Sequence, residues 1–336
     1  MEKKPLVSVI IPCHNSSAYI FRLLDSLLNQ TYPNMEIYAI DNDSEDNTAD
    51  IIKSYIPKFE DKGYSAYYIH QDDLGPSAAM QTGFKYIKGE YLIMPDSDDW
   101  YSRPSSVETY IDKFLSLPDN YAIIRSQLQF INEEDMKLIK IIYEDFPEDD
   151  PGTLFEDCLF AKNGYNFAPI DYMVKVSALR EMTGMKIYNA YNTGQQRQIC
   201  LPLYYRYKAW TLAEPLACYL VRKNSISHGD YSKFKTQAHL YSLSETYINT
   251  IFDTINCMPA NDRKHYHDMF MQKQALNIAL KAIEANTSPI EYINDYKKFG
   301  GSILQIYHAI IKQQLHELVK RITRRHNFIS LLPILN

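Results

Sequence analysis

Between Val7 and Met94, strand-type and helix-type patterns alternate at short intervals, and nothing else in the chain limits its fold as strongly. Val7–Pro12 (VSVIIP) is an unbroken β-branched run, the kind found in strands buried on both faces of a parallel sheet. Ser16 and Ser17 then suit the start of a helix in which Ile20, Leu23, Leu24, Leu27 and Leu28 recur at helical spacing. Tyr32-Pro33-Asn34 ends that helix, and Glu36–Ile40 predicts a second strand. A second helix over Thr48–Phe59, a third strand over Ala66–His70, a third helix over Ser77–Ile87 closed by Gly89, and a fourth strand over Tyr91–Met94 follow. Parallel strands joined by helical crossovers make a doubly wound, mostly parallel α/β sheet with right-handed connections.

Sheets of this kind hold their ligands at the carboxyl ends of the strands. The residues at those ends are Cys13-His14-Asn15, Asp41-Asn42-Asp43-Ser44, Gln71-Asp72-Asp73 and Asp96-Ser97-Asp98-Asp99, so acids and amides line the whole rim. The last group is the most pointed. Carboxylates at i and i+2 after a buried strand converge on one side of the chain and offer hard oxygen donors to Mg²⁺ or Mn²⁺, leaving positions open for water and phosphate. Such an ion would neutralise charge developing on a departing diphosphate. A helix N-cap or a solvated turn would use the same residue types.

Charge and cysteine usage narrow the class further. The formal charge is −6, which leaves no global basic field for a nucleic-acid partner. Five scattered cysteines without a CxxC pair read as reduced residues of a cytoplasmic protein. The apolar stretch Leu6–Pro12 is too short for the core of a secretory leader, and no apolar run reaches the length of about 18 residues that suggests a membrane span. No GxGxxG or GxxxxGK[ST] follows the first strand, where HNSSAY stands instead, so dinucleotide-binding and P-loop chemistry are not expected.

Four segments in order, VSVIIPCHN, SLLNQTYPNMEIYAIDNDSEDNT, GPSAAMQTG and KGEYLIMPDSDDW, resemble the family-2 glycosyltransferases, nucleotide-sugar-dependent enzymes with the GT-A fold. The resemblance runs from Leu6 to Trp100 and resumes weakly over Trp210–Ser227. It implies that Pro12, His14, Asn15, Asp41 and Asn42 receive the nucleoside, and that Asp96 and Asp98 handle ribose and a metal-bound diphosphate with support from Asp99. It also implies inverting transfer of a sugar from a nucleoside diphosphate to an acceptor hydroxyl, in cell-surface polysaccharide or glycoconjugate synthesis.

Several working positions depart from the family's pattern. The second of the paired aspartates after strand two is Asn42, which both donates and accepts and so alters recognition of the base edge. An Arg usual in the third helix is Met80, followed by Gln81. The Glu-Asp pair whose Asp serves as catalytic base is replaced by Gln195-Gln196, and an amide cannot take a proton at neutral pH. Arg222 stands where many members keep a metal-binding His; it cannot ligate a metal but can fork onto phosphate oxygens. Two outcomes cover these changes. Arg222 and Arg197 supply the missing cations while another acid, for which Asp171 is the choice, acts as base; or the chain is a non-catalytic partner that stabilises or docks an active transferase.

The remaining chain predicts a helix over Ser105–Leu117, strands over Tyr121–Asn132, Leu138–Tyr143, Tyr172–Val176 and Trp210–Arg222, and a helix over Gln195–Tyr207. Beyond residue 230 the pattern is helical, which divides the chain into a GT-A-like domain (1–230) and a helical C-terminal domain (231–336) for acceptor, partner or membrane-surface contact. On the last helix, Ile303–Arg325, the residues Leu304, Tyr307, Ile311, Leu315, Leu318 and Ile322 share a face. From Lys312 to Asn336 five basic residues stand against Glu317 alone, a local charge of 5 − 1 = +4. A basic amphipathic end of this kind docks on anionic membrane surfaces, and would suit a lipid-linked acceptor; a helix capping the core would use the same pattern. The pair His265 and His267 has no carboxylate or thiolate at matching spacing and reads as helix surface.

Overall fold

The computed structural model describes residues 4–72, 75–146, 148–149, 154–189, 194–223 and 233–311. Nine strands form one sheet: β1 (Val7–Cys13), β2 (Met35–Asn42), β3 (Ser65–Gln71), β4 (Tyr91–Ile93), β5 (Trp100–Tyr101), β6 (Tyr121–Asn132), β7 (Leu138–Ile142), β8 (Tyr172–Lys175) and β9 (Lys208–Val221). Their order is β3-β2-β1-β4-β8-β6-β9-β5, with β7 paired to β6. The first four are mutually parallel, as the alternation requires, and β8 joins antiparallel to both β4 and β6. β6 and β9 then run parallel over most of their lengths.

β1 and β2 are buried along their whole lengths, which is why both read as continuous apolar runs rather than alternating ones. The crossover helices α1 (Ile20–Leu28), α2 (Thr48–Asp61) and α3 (Pro76–Gly83) link these strands; α1 puts Ile20, Leu23, Leu24 and Leu27 into the core beneath β1 and β2. α1 and α3 are shorter than the sequence pattern suggested. Gly89 does not cap α3, since the helix ends at Gly83; its role is close approach. A Cβ there would lie 2.7 Å from the Ser8 nitrogen and 2.8 Å from the Leu6 carbonyl oxygen.

α4 (Ser106–Ser116) precedes β6, and α5 (Leu154–Phe160), α6 (Val176–Thr183) and α7 (Gln195–Arg206) flank a 3-10 turn (Pro169–Asp171) and β8. Of these, α5 and α6 were not foreseen: each is only two turns long and too short for a period to emerge. Beyond β9 come α8 (Phe234–Thr254), α9 (Ala260–Glu284), α10 (Ile290–Lys298) and a helical stretch over 303–311. The chain separates into two compact units, Met1–Gly229 with Tyr247–Pro259, and Asp230–Thr246 with Ala260–Asn336. The segment 247–259 therefore belongs with the sheet-containing unit. The second unit has its own small core around Ala275, Tyr296 and Ile306.

Four cysteines are buried and Cys257 is exposed. Among the described residues no helix is long and apolar enough to cross a membrane. The segments Asn224–Ser227 and Lys312–Asn336, on which part of the sequence reading rests, lie outside the described residues.

Candidate functional site

Because β1, β2 and β4 run parallel in adjacent positions, the residues that follow them emerge at one edge of the sheet. A single hydrogen bond shows how close they come: the hydroxyls of Ser16, after β1, and Ser97, after β4, are 2.7 Å apart. His14 is exposed and donates from Nδ1 to the Asn42 carbonyl at 2.6 Å, tying the end of β1 to that of β2. Asn15 takes a left-handed backbone (φ 47°), which Asn tolerates better than most residues, and its Oδ1 accepts the Glu45 N–H at 2.8 Å.

Asp41 is buried, and its two oxygens are held by Ser44 Oγ at 2.5 Å and by the Tyr68 hydroxyl at 2.7 Å. It shapes the turn from inside. Asn42 is itself buried, 3% exposed; it accepts from Gln71 Nε2 at 2.5 Å and donates to the Gly75 carbonyl at 3.3 Å, and its second amide hydrogen has no partner among the described residues. Pro12 lies within β1 itself and is buried, so it contributes wall rather than contact.

The Asp96–Asp99 turn is closed by the Asp99 N–H donating to the Asp96 carbonyl at 3.2 Å. Asp99 is wholly buried; its Oδ1 accepts the Leu220 N–H at 2.9 Å, pinning the turn to β9. Asp98 remains partly exposed and pairs with Arg222, Oδ2 to Nη2 at 2.7 Å. Arg222 also stands over the Tyr19 ring at 4.5 Å, and Tyr19 donates its hydroxyl to Glu133 Oε1 at 2.8 Å. Burial pushes the Asp96 carboxyl up to about 7, aided by the charge of Asp98 and opposed by Arg222. Burial likewise raises Asp98, against the pull of Arg222, and raises Asp99, with both neighbouring carboxylates adding to it. The three carboxyls are thus too close and too buried to be charged together, and a single guanidinium faces them.

Asp96 and Asp98 suit a Mg²⁺ or Mn²⁺ in donor type and number, since such ions take one or two carboxylates and complete their shell from water and phosphate. One of those oxygens is already held by Arg222. Among the described residues no three His, Cys, Asp or Glu side chains gather into a ready metal nest.

Other expected positions lie elsewhere. Asp171 ends the 3-10 turn inside the core, 2% exposed, where burial raises its carboxyl to about 7 and the charge of Arg125 pulls it back. From there it cannot hydrogen-bond an incoming hydroxyl without its surroundings opening, which corrects the expectation of a base at this position. Arg197 turns away from the rim: its Nε donates to the Cys158 carbonyl at 3.3 Å and its guanidinium covers the Phe167 ring. Met80, which stands in place of the usual Arg, is buried, and Gln81 beside it holds the Met185 carbonyl and the Ile187 N–H through its amide. Gln195 is buried at the start of α7. His267 pairs with Asp268 and Glu245 and forms no metal cluster. Sequence reasoning missed Tyr19, Tyr68 and Glu133. Tyr19 and Tyr68 sit beside recognised segments, whereas Glu133, at the β6–β7 turn, carries no local signal at all.

Residues 8–172 match a family model described as Glycosyl transferase family 2. The glycosyltransferase GlyA of Streptococcus pneumoniae is 28% identical over 224 residues, covering 66% of this chain and 31% of its own. The chain spans no more than 40% of the uncharacterised Rickettsia glycosyltransferases that it also matches. Among solved structures, TarS of S. aureus (residues 1–349, with UDP-GlcNAc) superposes with a TM-score of 0.62 at 16% identity, over 87% of this chain and 80% of its own. The mannosyltransferase PcManGT of Pyrobaculum calidifontis, crystallised with GDP-Man and Mn²⁺, gives 0.52 at 15% identity, over 96% and 88%. At such identities the likeness concerns the fold, and the fold is the GT-A arrangement that the strand–helix alternation and the four ordered segments led us to expect.

Proposed function

Residues 8–172 belong to glycosyl transferase family 2, and on that premise we propose that the protein moves a sugar from a nucleoside diphosphate donor to the hydroxyl of a glycan or lipid-linked acceptor. The observation that carries this reading is the meeting of three strand ends at one edge, joined by the Ser16–Ser97 and His14–Asn42 hydrogen bonds. His14, Asn15 and the free hydrogen of the Asn42 amide face the nucleoside in this reading, with Asp41 holding their turn through Ser44 and Tyr68. Asp96 and Asp98 take the ribose and diphosphate end. A Mg²⁺ or Mn²⁺ on these two carboxylates would supply positive charge to the leaving diphosphate, but only by taking the Asp98 oxygen that Arg222 holds. Arg222 supplies the charge that this chain itself carries.

A second reading is favoured by the missing base. Gln195 and Gln196 occupy the expected acid positions and Asp171 is sealed in the core, so a chain that binds the donor without transferring from it, as partner to an active transferase, remains consistent with the same rim. Release of nucleoside diphosphate from a nucleotide-sugar in a single turnover separates the two.

The donor site itself is tested by calorimetric titration of UDP, GDP, CDP and TDP into wild type and Asn42→Ala. One nucleotide is expected to bind, and loss of the Asn42 amide to weaken it about tenfold, the cost of one buried hydrogen bond to a ligand. No binding at about 1 mM, a floor of roughly 4 kcal/mol, or an Asn42→Ala variant that binds as wild type does, overturns the assignment.

A further inference from the structure

The Asp98–Arg222 ion pair raises a question that donor binding alone does not answer. Arg222 follows the last residue of β9, and three contacts set its place. Its Nη2 meets Asp98 Oδ2 at 2.7 Å, and its guanidinium lies 4.5 Å from the centre of the Tyr19 ring. The Val221 carbonyl just before it accepts the Glu133 N–H at 3.2 Å. The pair is neither sealed nor free: the Asp98 side chain is 17% exposed and that of Arg222 25%. A ligand can therefore reach both groups.

A divalent cation and a guanidinium compete for one carboxylate oxygen. An ion bound to Asp98 at about 2.1 Å from an oxygen would sit within about 4 Å of a guanidinium nitrogen on the same group, where like charges repel by several kcal/mol at the effective dielectric of a partly buried site. The ion would have to displace Arg222. A diphosphate behaves in the opposite way. Its oxygens match the planar fork of a guanidinium, and Arg remains charged at every physiological pH.

We propose that Arg222 is the resident counter-cation of this site: it neutralises Asp98 in the free protein, passes to the diphosphate when a donor binds, and makes a divalent cation a competitor rather than a requirement. The proposal rests on the donor-site reading above for its second step only; the competition between Arg222 and metal stands on the ion pair itself. It also gives the surplus of carboxylates at Asp96–Asp99 a partner within the chain.

The experiment has two arms, each run on wild type, Arg222→Gln and Arg222→Lys, with melting curves to confirm that the variants fold. In the first, Mn²⁺ is titrated without nucleotide and the free-ion signal is followed by electron paramagnetic resonance. Arg222→Gln should bind Mn²⁺ about tenfold or more tightly than wild type, as removal of one nearby like charge implies. Arg222→Lys, which keeps the charge, should stay near wild type. Equal Mn²⁺ affinity in wild type and Arg222→Gln overturns the proposal. In the second arm, the nucleotide selected by the calorimetric panel is titrated with EDTA and with Mn²⁺. Wild-type affinity should change less than about threefold between the two conditions, whereas Arg222→Gln should lose about tenfold in EDTA, the worth of one charge-assisted pair. Arg222→Gln should recover with Mn²⁺, and Arg222→Lys, lacking the fork, should lose part of its affinity in EDTA. A wild type that binds nucleotide only with Mn²⁺ overturns the proposal. If no nucleotide binds to any form, the donor-site reading fails, and the first arm alone decides whether Arg222 holds the place of a metal.

Discussion

Arg125 is the largest side chain wholly inside the molecule, and its environment explains why Asp171 is not where a base should be. The guanidinium lies 4.3 Å from the Tyr143 ring, 4.6 Å from Phe146 and 5.0 Å from Tyr165, an aromatic enclosure for a single cation. Asp171 is a buried carboxylate whose charge acts on it, and Asp157 feels the same guanidinium. Burial raises Asp171 to about 7 against the pull of Arg125, well above an ordinary carboxyl near 3.9. Between those two values the native state holds a proton that the unfolded chain has released, so this group's contribution to stability falls as pH rises through that window. Arg125→Met removes the opposing charge, which carries the Asp171 value higher and extends the fall into the alkaline range. The variant should be mildly destabilised at pH 5, where Asp171 is protonated in the fold. At pH 8 Asp171 keeps its proton in the folded variant while the unfolded chain has released it, so the loss should exceed that at pH 5 by about 1–2 kcal/mol. Arg125→Met/Asp171→Asn should show no such slope. Denaturant melts across pH check this, and parallel curves for the two variants would show that Arg125 does not neutralise Asp171. Neither residue's burial was legible in the sequence. Arg125 lies in a run that reads only as strand; the aromatic residues brought from the segment after β7 and the segment before β8 reveal the cage.

At the scale of elements, the parallel half of the sheet was plain because β1, β2 and β4 are buried along their lengths and α1 and α2 carry apolar stripes at helical spacing. In the other half β6, β7, β8 and β9 were legible as strands, but the short elements and the strand arrangement were not. β5 has two residues, α5 and α6 are two turns each, and the parallel pairing of β6 with β9 joins segments far apart in sequence that no local period records. The same difference separates the two ends of the candidate site. Asp96–Asp99 could be read directly, but its attachment to β9 through Leu220 and Arg222 depends on that nonlocal pairing. Where β1 and β2 meet the loop before β4, packing is tight enough to test. Glu36 Oε1 accepts from Ser8 Oγ, the Lys88 N–H and the Gly89 N–H at 2.6, 2.6 and 3.1 Å, which draws the loop down onto the strands. Gly89→Ala would force its new carbon against the backbone of Leu6 and Ser8, atoms that cannot rotate away. The expected loss is about 1–3 kcal/mol, seen as a melting point lower by several degrees at about 2–4 °C per kcal/mol. A variant that melts with wild type would mean the loop moves off the sheet at no cost.

For the molecule as a whole, charge is distributed unevenly. The chain carries −6 in total while residues 312–336 carry +4, so everything before them carries −6 − 4 = −10. The helical stretch leading into that basic segment displays Leu304, Tyr307 and Ile311 at 77, 58 and 55% exposure, whereas Ile306 is the residue it buries. Ile306, with Ile310 beside it, packs on the second unit's small core, so this stretch caps that core on one side and shows the stripe on the other. The stripe read from the sequence is real as a stripe, but within the described residues it faces outward. Apolar residues leading into a cluster of Lys and Arg fit an anionic lipid surface, to which each basic residue adds about 1 kcal/mol near the headgroups. An acceptor carried on a lipid would then be met at the surface where it resides. The full chain should therefore sediment with vesicles containing phosphatidylglycerol and not with phosphatidylcholine alone, and should be released by salt as screening shortens. Leu304→Ser/Ile311→Ser should weaken that binding about a hundredfold or more, since each buried apolar side chain is worth about 1.5–3 kcal/mol, with no change in melting because both side chains are already exposed. Reversing Arg321, Arg324 and Arg325 to Glu should abolish it. Equal binding to neutral vesicles would assign the stripe to a protein partner, and unchanged binding in both variants would place any membrane contact elsewhere on the chain.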